Sequence, residues 1–348
     1  MEIKISDDRK VGDGNPLYII AEVGINHNGD LDIAKQLIKE AKAAGANAVK
    51  FQKRTIDEMY TKDFLDQPYI KEGSFGKTYG EHKKKLEFSD EQFLELKDYA
   101  RKAGITFLIS GFDFTSFDFI EKKLEVPIHK IPSPFVTHFP LLKHVAQFGK
   151  PVILSTGMHS FSEVSNAIQF IRQFNDKIIL FQATTLYPCP DELVNLNVLK
   201  TFKDELKVLV GYSSHDKGVI LPVAAVALGA CMIEKHFTLD RTMPGPDHAA
   251  SVEPRGLEII VKYSRSIEKG LGSYEKNILP GEEAQRIKYG VSIVAGVNIQ
   301  SGEILTETNL TVKCPGGGIS PTVYYALLGK KTKKAFNKDE FIDDGYIE

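Results

Sequence analysis

Eight short apolar runs, each followed by a segment of helical period, recur through the first ~270 residues, and that alternation leaves few folds open. The runs are Leu17–Val23, Asn47–Gln52, Ile105–Ser110, Val126–Ile131, Pro151–Thr156, Ile178–Ala183, Val208–Tyr212 and Cys231–His236. They are nearly continuous rather than alternating, which marks parallel strands covered on both faces. Between them, Leu31, Ala34, Leu37, Ile38, Ala41 and Ala44 fall on one helical face that Gly45 closes. Ser89 with Gln92 and Ser160 with Glu163 have capping-box spacing at helix starts, and Gly104, Gly149 and Gly229 stand where helices should stop. Eight such units at this length favour an α/β fold of the (β/α)8 TIM barrel type over an open doubly wound sheet.

The barrel is expected over residues 1–275. A Gly-, Pro- and Glu-containing linker over 276–289 and a small β-rich unit over 290–348 follow, with strands expected at Ser292–Ala295 and Ile299–Leu305. A unit of that size is marginal alone and is expected to pack on the barrel or on a second chain. The longest insertion, 53–88, has a polar, glycine-rich stretch, Ser74–His82, suited to a lid.

A formal charge of -2 gives no reason to expect nucleic acid or a membrane as partner. The charged N-terminus has no signal-peptide pattern, no apolar run reaches membrane-span length, and three cysteines lie at no metal-knuckle spacing. A cytoplasmic setting is expected.

Barrel enzymes carry their chemistry at the C-terminal ends of the strands, and here those ends are polar. Glu22, Lys50, Gln52, Lys130, Ser133, Ser155, Thr185, Tyr187, Ser213 and His215 occupy such positions, and period two puts Glu234 and His236 on one face of the last strand with Lys235 opposite. Taken singly, a buried lysine snorkels and a strand-end serine caps a helix; recurrence around the barrel argues for a site. Lys50 and Lys130 with Ser133, Ser155 and Ser213 suit a phosphate or carboxylate. The run Lys83-Lys84-Lys85 reads as a solvated face, and no further basic strand-end cluster is evident. His215 and His236 end adjacent strands, so their rings can converge on a divalent ion with open positions. An acid–base pair without metal is the rival. His27 and His82 sit on loops and are weaker candidates.

Several stretches together resemble the N-acetylneuraminate (sialic acid) synthase family. They are Ala21–Gly29, Lys50-Phe51-Gln52, Leu154–Met158, Thr185–Pro188, Glu234–Asp240 and Pro244–His248. The tail, Gly302-Glu303 through Lys313–Ile319, resembles the family's antifreeze-like (SAF) domain. The resemblance implies condensation of phosphoenolpyruvate with an open-chain N-acyl hexosamine, N-acetylmannosamine first, giving a nine-carbon 2-keto acid and phosphate. It implies His215 and His236 as ligands of manganese, with magnesium or cobalt as alternatives, and Glu22 as a carboxylate beside the reacting carbons. Lys50, Lys130, Ser133, Ser155 and Ser213 would contact phosphoenolpyruvate; Gln52, Tyr187 and Asp247 would serve the sugar side; Thr185 stands where members often have Asn. It also implies a homodimer with swapped C-terminal domains, in which the family's usual Arg at position 314 reaches the partner's sugar. Here that residue is Cys314, and Ser214 replaces a common Asp. A synthase of legionaminate or pseudaminate type acting on a 6-deoxy diacetamido hexose is the alternative within the family. Outside it stand a synthase for a phosphorylated aldose, which would need a second anion site, and a non-catalytic carbohydrate-binding protein.

Overall fold

A computed structural model of the chain describes residues 1–6, 9–70 and 73–348. An antiparallel pair, β1 (Glu2–Ser6) with β2 (Arg9–Gly12), comes first. There follow β3 (Tyr18–Gly24), β4 (Ala48–Lys53), β5 (Thr106–Gly111), β6 (His129–Ile131), β7 (Val152–Ser155), β8 (Ile178–Ala183), β9 (Leu209–Ser214) and β10 (Met232–His236). Among the described residues these eight parallel strands close a barrel in chain order, with β10 paired to β3. Both expected capping boxes form, and a third joins Thr78 to Glu81 at the start of the insertion helix Tyr79–Leu86.

Alternation along each strand separates two cores. Outward residues such as Ile19, Val49, Ile109, Leu154, Leu180 and Val210 pack with the helices in one layer. Inward residues Tyr18, Ile20, Ala48, Leu108, Ile153, Ile179, Phe181, Leu209 and Met232 fill the barrel's lower half. Ile3, Ile5 and Val11 of β1 and β2 join that inner cluster and seal its lower end, a role the charged N-terminal sequence conceals. One or two residues further along the same inward rows the side chains become charged or hydroxylic, so the apolar plug is the floor of the site.

The chain divides into two compact units, Met1–Gly272 and Ser273–Glu348. In the second, β11 (Ser292–Ala295) pairs antiparallel with β12 (Leu310–Lys313) over a core of Ile293, Ile299, Leu305, Leu310, Phe336 and Ile342. The stretch expected as linker holds a helix, Glu282–Tyr289, with no buried residue. Ile299–Leu305 makes only isolated bridges, because the turn at Ser301-Gly302 (φ +83 at Gly302) interrupts the ladder.

Candidate active site

Strand register does most of the assembly. Glu22 lies beside both Lys50 and His236, Gln52 beside Ser110, Ser110 beside Lys130, and Ser213 beside Glu234. All are inward-facing and above the apolar floor, so their heads meet in a cavity of about 280 Å³. Every site residue expected from sequence except the weaker candidate His27 lines that cavity, including Thr185, Tyr187 and Asp247 from the loops after β8 and β10.

The cavity's base is a charge network. Lys50 Nζ lies 2.7 Å from Glu22 Oε2 and 3.5 Å from Glu234 Oε1, and donates to Ser110 Oγ at 2.8 Å. Lys130 Nζ donates to Ser155 Oγ at 2.6 Å and lies 3.4 Å from Glu234. Ser213 Oγ donates to Glu234 Oε1 at 3.1 Å, and Gln52 Nε2 to Glu22 Oε1 at 2.7 Å. Burial opposes each of these charges, but opposite charges outweigh it for Glu234, which Lys130 and Lys50 hold ionised below its usual range. The same holds for Lys50, raised by Glu22 and Glu234 against its burial, whereas burial leaves Lys130 lowered. Removing one partner of such a pair typically costs about 3–5 kcal/mol, so the four charges stand as a unit.

Two glycines make room. Gly24, at φ +56, is in the left-handed region; a Cβ there would meet Gln52 Nε2 at 3.1 Å and Glu22 Oε1 at 3.3 Å. A Cβ on Gly157 would lie 2.2 Å from Thr185 Oγ1, while the Gly157 N–H donates to Ser133 Oγ at 3.0 Å.

His215 and His236 face each other with ring centroids 5.5 Å apart. The Thr184 carbonyl, 2.6 Å from His215 Nδ1, can only accept, so Nδ1 carries the proton and Nε2 offers its lone pair. Tyr187 Oη, 3.0 Å away, donates to it; burial keeps that phenol protonated. Burial, with His236 adjacent, also pulls the His215 pKa down to about 3, so the ring is neutral at neutral pH. His236 Nδ1 is buried without a hydrogen bond, 3.9 Å from Asp247 Oδ2. His215 Nε2, bonded only to a displaceable hydroxyl, and the unbonded His236 Nδ1 fit a divalent ion. Among the described residues no cluster of three or more His, Cys, Asp or Glu side chains is set to hold one, so any ion here would keep open positions.

The insertion adds residues to the cavity. His82, a weaker candidate from sequence, lines it with Tyr69, Tyr79 and Lys83. Lys83 departs from the expected solvated run: Lys84 and Lys85 are exposed, but Lys83 turns inward and burial drives its pKa down to about 8. Arg54, one residue past β4, stacks 4.0 Å over Phe112 and donates to Gln52 Oε1. Arg54 and Lys83 together supply the second basic cluster whose absence was expected; one lies just beyond the strand and the other comes from the insertion, so strand ends alone did not reveal it. Ser110 and Glu234 also join the site. His27 does not: it stacks on Phe88 at 4.1 Å, outside the cavity. Asn26 and Asn28 tie the first loop to the last, through Phe237 O and Ser251 at 2.9 and 2.8 Å and through His248 at 3.2 Å.

A closed barrel with paired carboxylates, paired lysines and two imidazoles at the C-terminal ends of its strands has the architecture of a barrel enzyme. Residues 37–276 match the NeuB family and residues 290–346 the SAF domain. The chain belongs to the NeuB family. It is 41% identical to the N-acetylneuraminate-9-phosphate synthase of Homo sapiens, over 100% of this chain and 97% of that one. It is 41% identical to the N,N'-diacetyllegionaminic acid synthase of Campylobacter jejuni, over 93% and 98%. The crystal structure of the N-acetylneuraminic acid synthetase from Leptospira borgpetersenii, in complex with citrate, superposes with a TM-score of 0.73 at 34% identity, over 82% of this chain and 95% of that one.

Proposed function

We propose that the enzyme condenses phosphoenolpyruvate with the open-chain form of an N-acyl hexosamine and water, giving a nine-carbon 2-keto sugar acid and phosphate. The observation that carries this reading is the pairing, in one cavity, of a lysine–serine anion cradle with a carboxylate and a histidine pair. Lys50, Lys130, Ser133, Ser155 and Ser213 hold the enol phosphate's two anionic groups. Its carbon 3 attacks the aldehyde carbon, whose oxygen takes up a proton; water adds at carbon 2, and phosphate leaves with the carbon–oxygen bond's electrons. Glu22, held in place by Gln52, faces the positive charge that develops at carbon 2 and stabilises it. Tyr187, Thr185 and Asp247 orient the sugar. His215 and His236 would hold a divalent ion, manganese first, with magnesium or cobalt as alternatives; such an ion supplies Lewis-acid polarisation of a carbonyl.

N-acetylmannosamine is the proposed aldose. Arg54 and Lys83 at the mouth favour a second reading, the same sugar carrying a terminal phosphate, which a 6-deoxy diacetamido hexose could not offer them. Phosphate release and 2-keto acid formation are measured with phosphoenolpyruvate, manganese and each aldose in turn. Turnover with N-acetylmannosamine or its 6-phosphate, lost on EDTA dialysis and restored by manganese, is expected. Silence with every N-acyl hexosamine would refute the synthase reading, and turnover indifferent to EDTA the metal.

We also propose a homodimer with exchanged C-terminal units. Helix Glu282–Tyr289 buries nothing and exposes Ile287 and Tyr289, with Tyr274, Ile278 and Leu279 exposed before it. Light scattering should give twice the chain mass; a monomer at every concentration would contradict this.

A further inference from the structure

The outer face of the barrel strands packs against helices through a largely apolar layer, and β9 with β10 depart from that rule side by side. Lys235, Ser214 and Asp216 are each 0% exposed and Tyr212 is 1% exposed, and none of the four lines the cavity. They form one network. Asp216 Oδ1 accepts from Tyr212 Oη at 2.5 Å and from Ser214 Oγ at 2.6 Å. Lys235 Nζ donates to Ser214 Oγ at 2.8 Å and to the Asp216 carbonyl, with Asp216 Oδ2 at 3.9 Å. Burying such ions costs several kcal/mol each, and well-packed neutral side chains commonly hold a fold as well. Stability is therefore a poor account of the pair, and its position offers a better one. Lys235 lies between Glu234 and His236, which point into the cavity, while Ser214 and Asp216 flank His215. One ammonium thus joins both neighbours of one imidazole to the neighbour of the other. The Cys189 N–H, donating to the His215 carbonyl at 2.9 Å, pins the same turn from the β8 side.

We infer that Lys235 and Asp216, with Ser214 and Tyr212, form a positioning clasp that sets the spacing of His215 and His236 from the blind side of the sheet. The clasp rests on the metal reading above, since its purpose is to hold the pair at the separation an ion needs. The test compares wild type, Lys235→Met, Asp216→Asn and the double variant by melting temperature and by Mn2+ affinity from the electron paramagnetic resonance of free Mn2+. Each single change strands a buried group and lowers the melting temperature. In the double variant both charges are gone and the melting temperature recovers. Its Mn2+ affinity nevertheless stays roughly ten- to hundredfold below wild type, the usual effect of losing groups behind a ligand. Wild-type Mn2+ affinity in the folded double variant overturns the clasp, whatever its melting temperature, because the network would then serve charge balance alone. A wild-type protein that binds no Mn2+ overturns the metal reading and the clasp with it, an outcome distinct from variants that bind as wild type does.

Discussion

Thr185 Oγ1 is buried in the cavity wall and bonded to nothing among the described residues. It lies where Gly157 comes closest, near Ser133. An unbonded buried hydroxyl costs about 1–3 kcal/mol, which a ligand oxygen at that spot would recover. Thr185→Val keeps the shape and loses only that potential bond. Its melting temperature should match or exceed wild type while the KM for one substrate rises several-fold; an unchanged KM for both would show that the hydroxyl meets no substrate. Residue-level legibility follows from geometry. Glu22, Lys50 and Lys130 were visible because strand period and strand ends decide which way they point. Lys83 was not, because a run of like charges hides the one member that a helix turns inward. Arg54 was hidden because it lies past the strand, where period two no longer applies.

The elements divide the work between stability and chemistry. β1 and β2 close the barrel floor with Ile3, Ile5 and Val11, beneath the charged layer. Ile5→Ala should cost roughly 2–4 kcal/mol of stability, as buried aliphatic truncations do, yet leave kcat/KM of the folded enzyme unchanged. A selective loss of kcat/KM at full stability would mean that the floor shapes the site. The barrel strands were readable to within a few residues because each is buried on both faces and so nearly uniformly apolar. β1 offers only two inward residues among charges, a pattern too short and too polar to stand out, and β2 offers one. The insertion's helix Tyr79–Leu86 begins inside the stretch read as a lid, where Gly76 and Gly80 suggest loop and the Thr78–Glu81 capping box decides otherwise.

At the scale of the molecule, burial sets both ends of a stability window. His27 and His129 are held neutral by burial, with pKa values pulled down to about 3 and about 4 from 6.5. Unfolded, they take up protons near pH 6.5, so the stability they contribute is whole above that value and is lost as pH falls toward the folded values. Glu87 runs the other way. Burial raises it to about 7 from 4.5, so its contribution is whole below pH 4.5 and lost as pH rises through 7. Melting temperature of Glu87→Gln, which lacks that opposing contribution, should therefore fall between pH 6.5 and 4, and this variant should gain most relative to wild type above pH 7. A flat profile from 6.5 to 4 would show the imidazoles are not buried as described. The activity itself is tested most directly by the fate of the bridging oxygen of phosphoenolpyruvate. With oxygen-18 between carbon 2 and phosphorus, attack of carbon 3 on the aldehyde and loss of phosphate from carbon 2 carry the label into inorganic phosphate, seen as an isotope shift in its phosphorus resonance. Label retained in the 2-keto acid would mean that the phosphorus–oxygen bond breaks instead, and would contradict the mechanism assigned to this cavity.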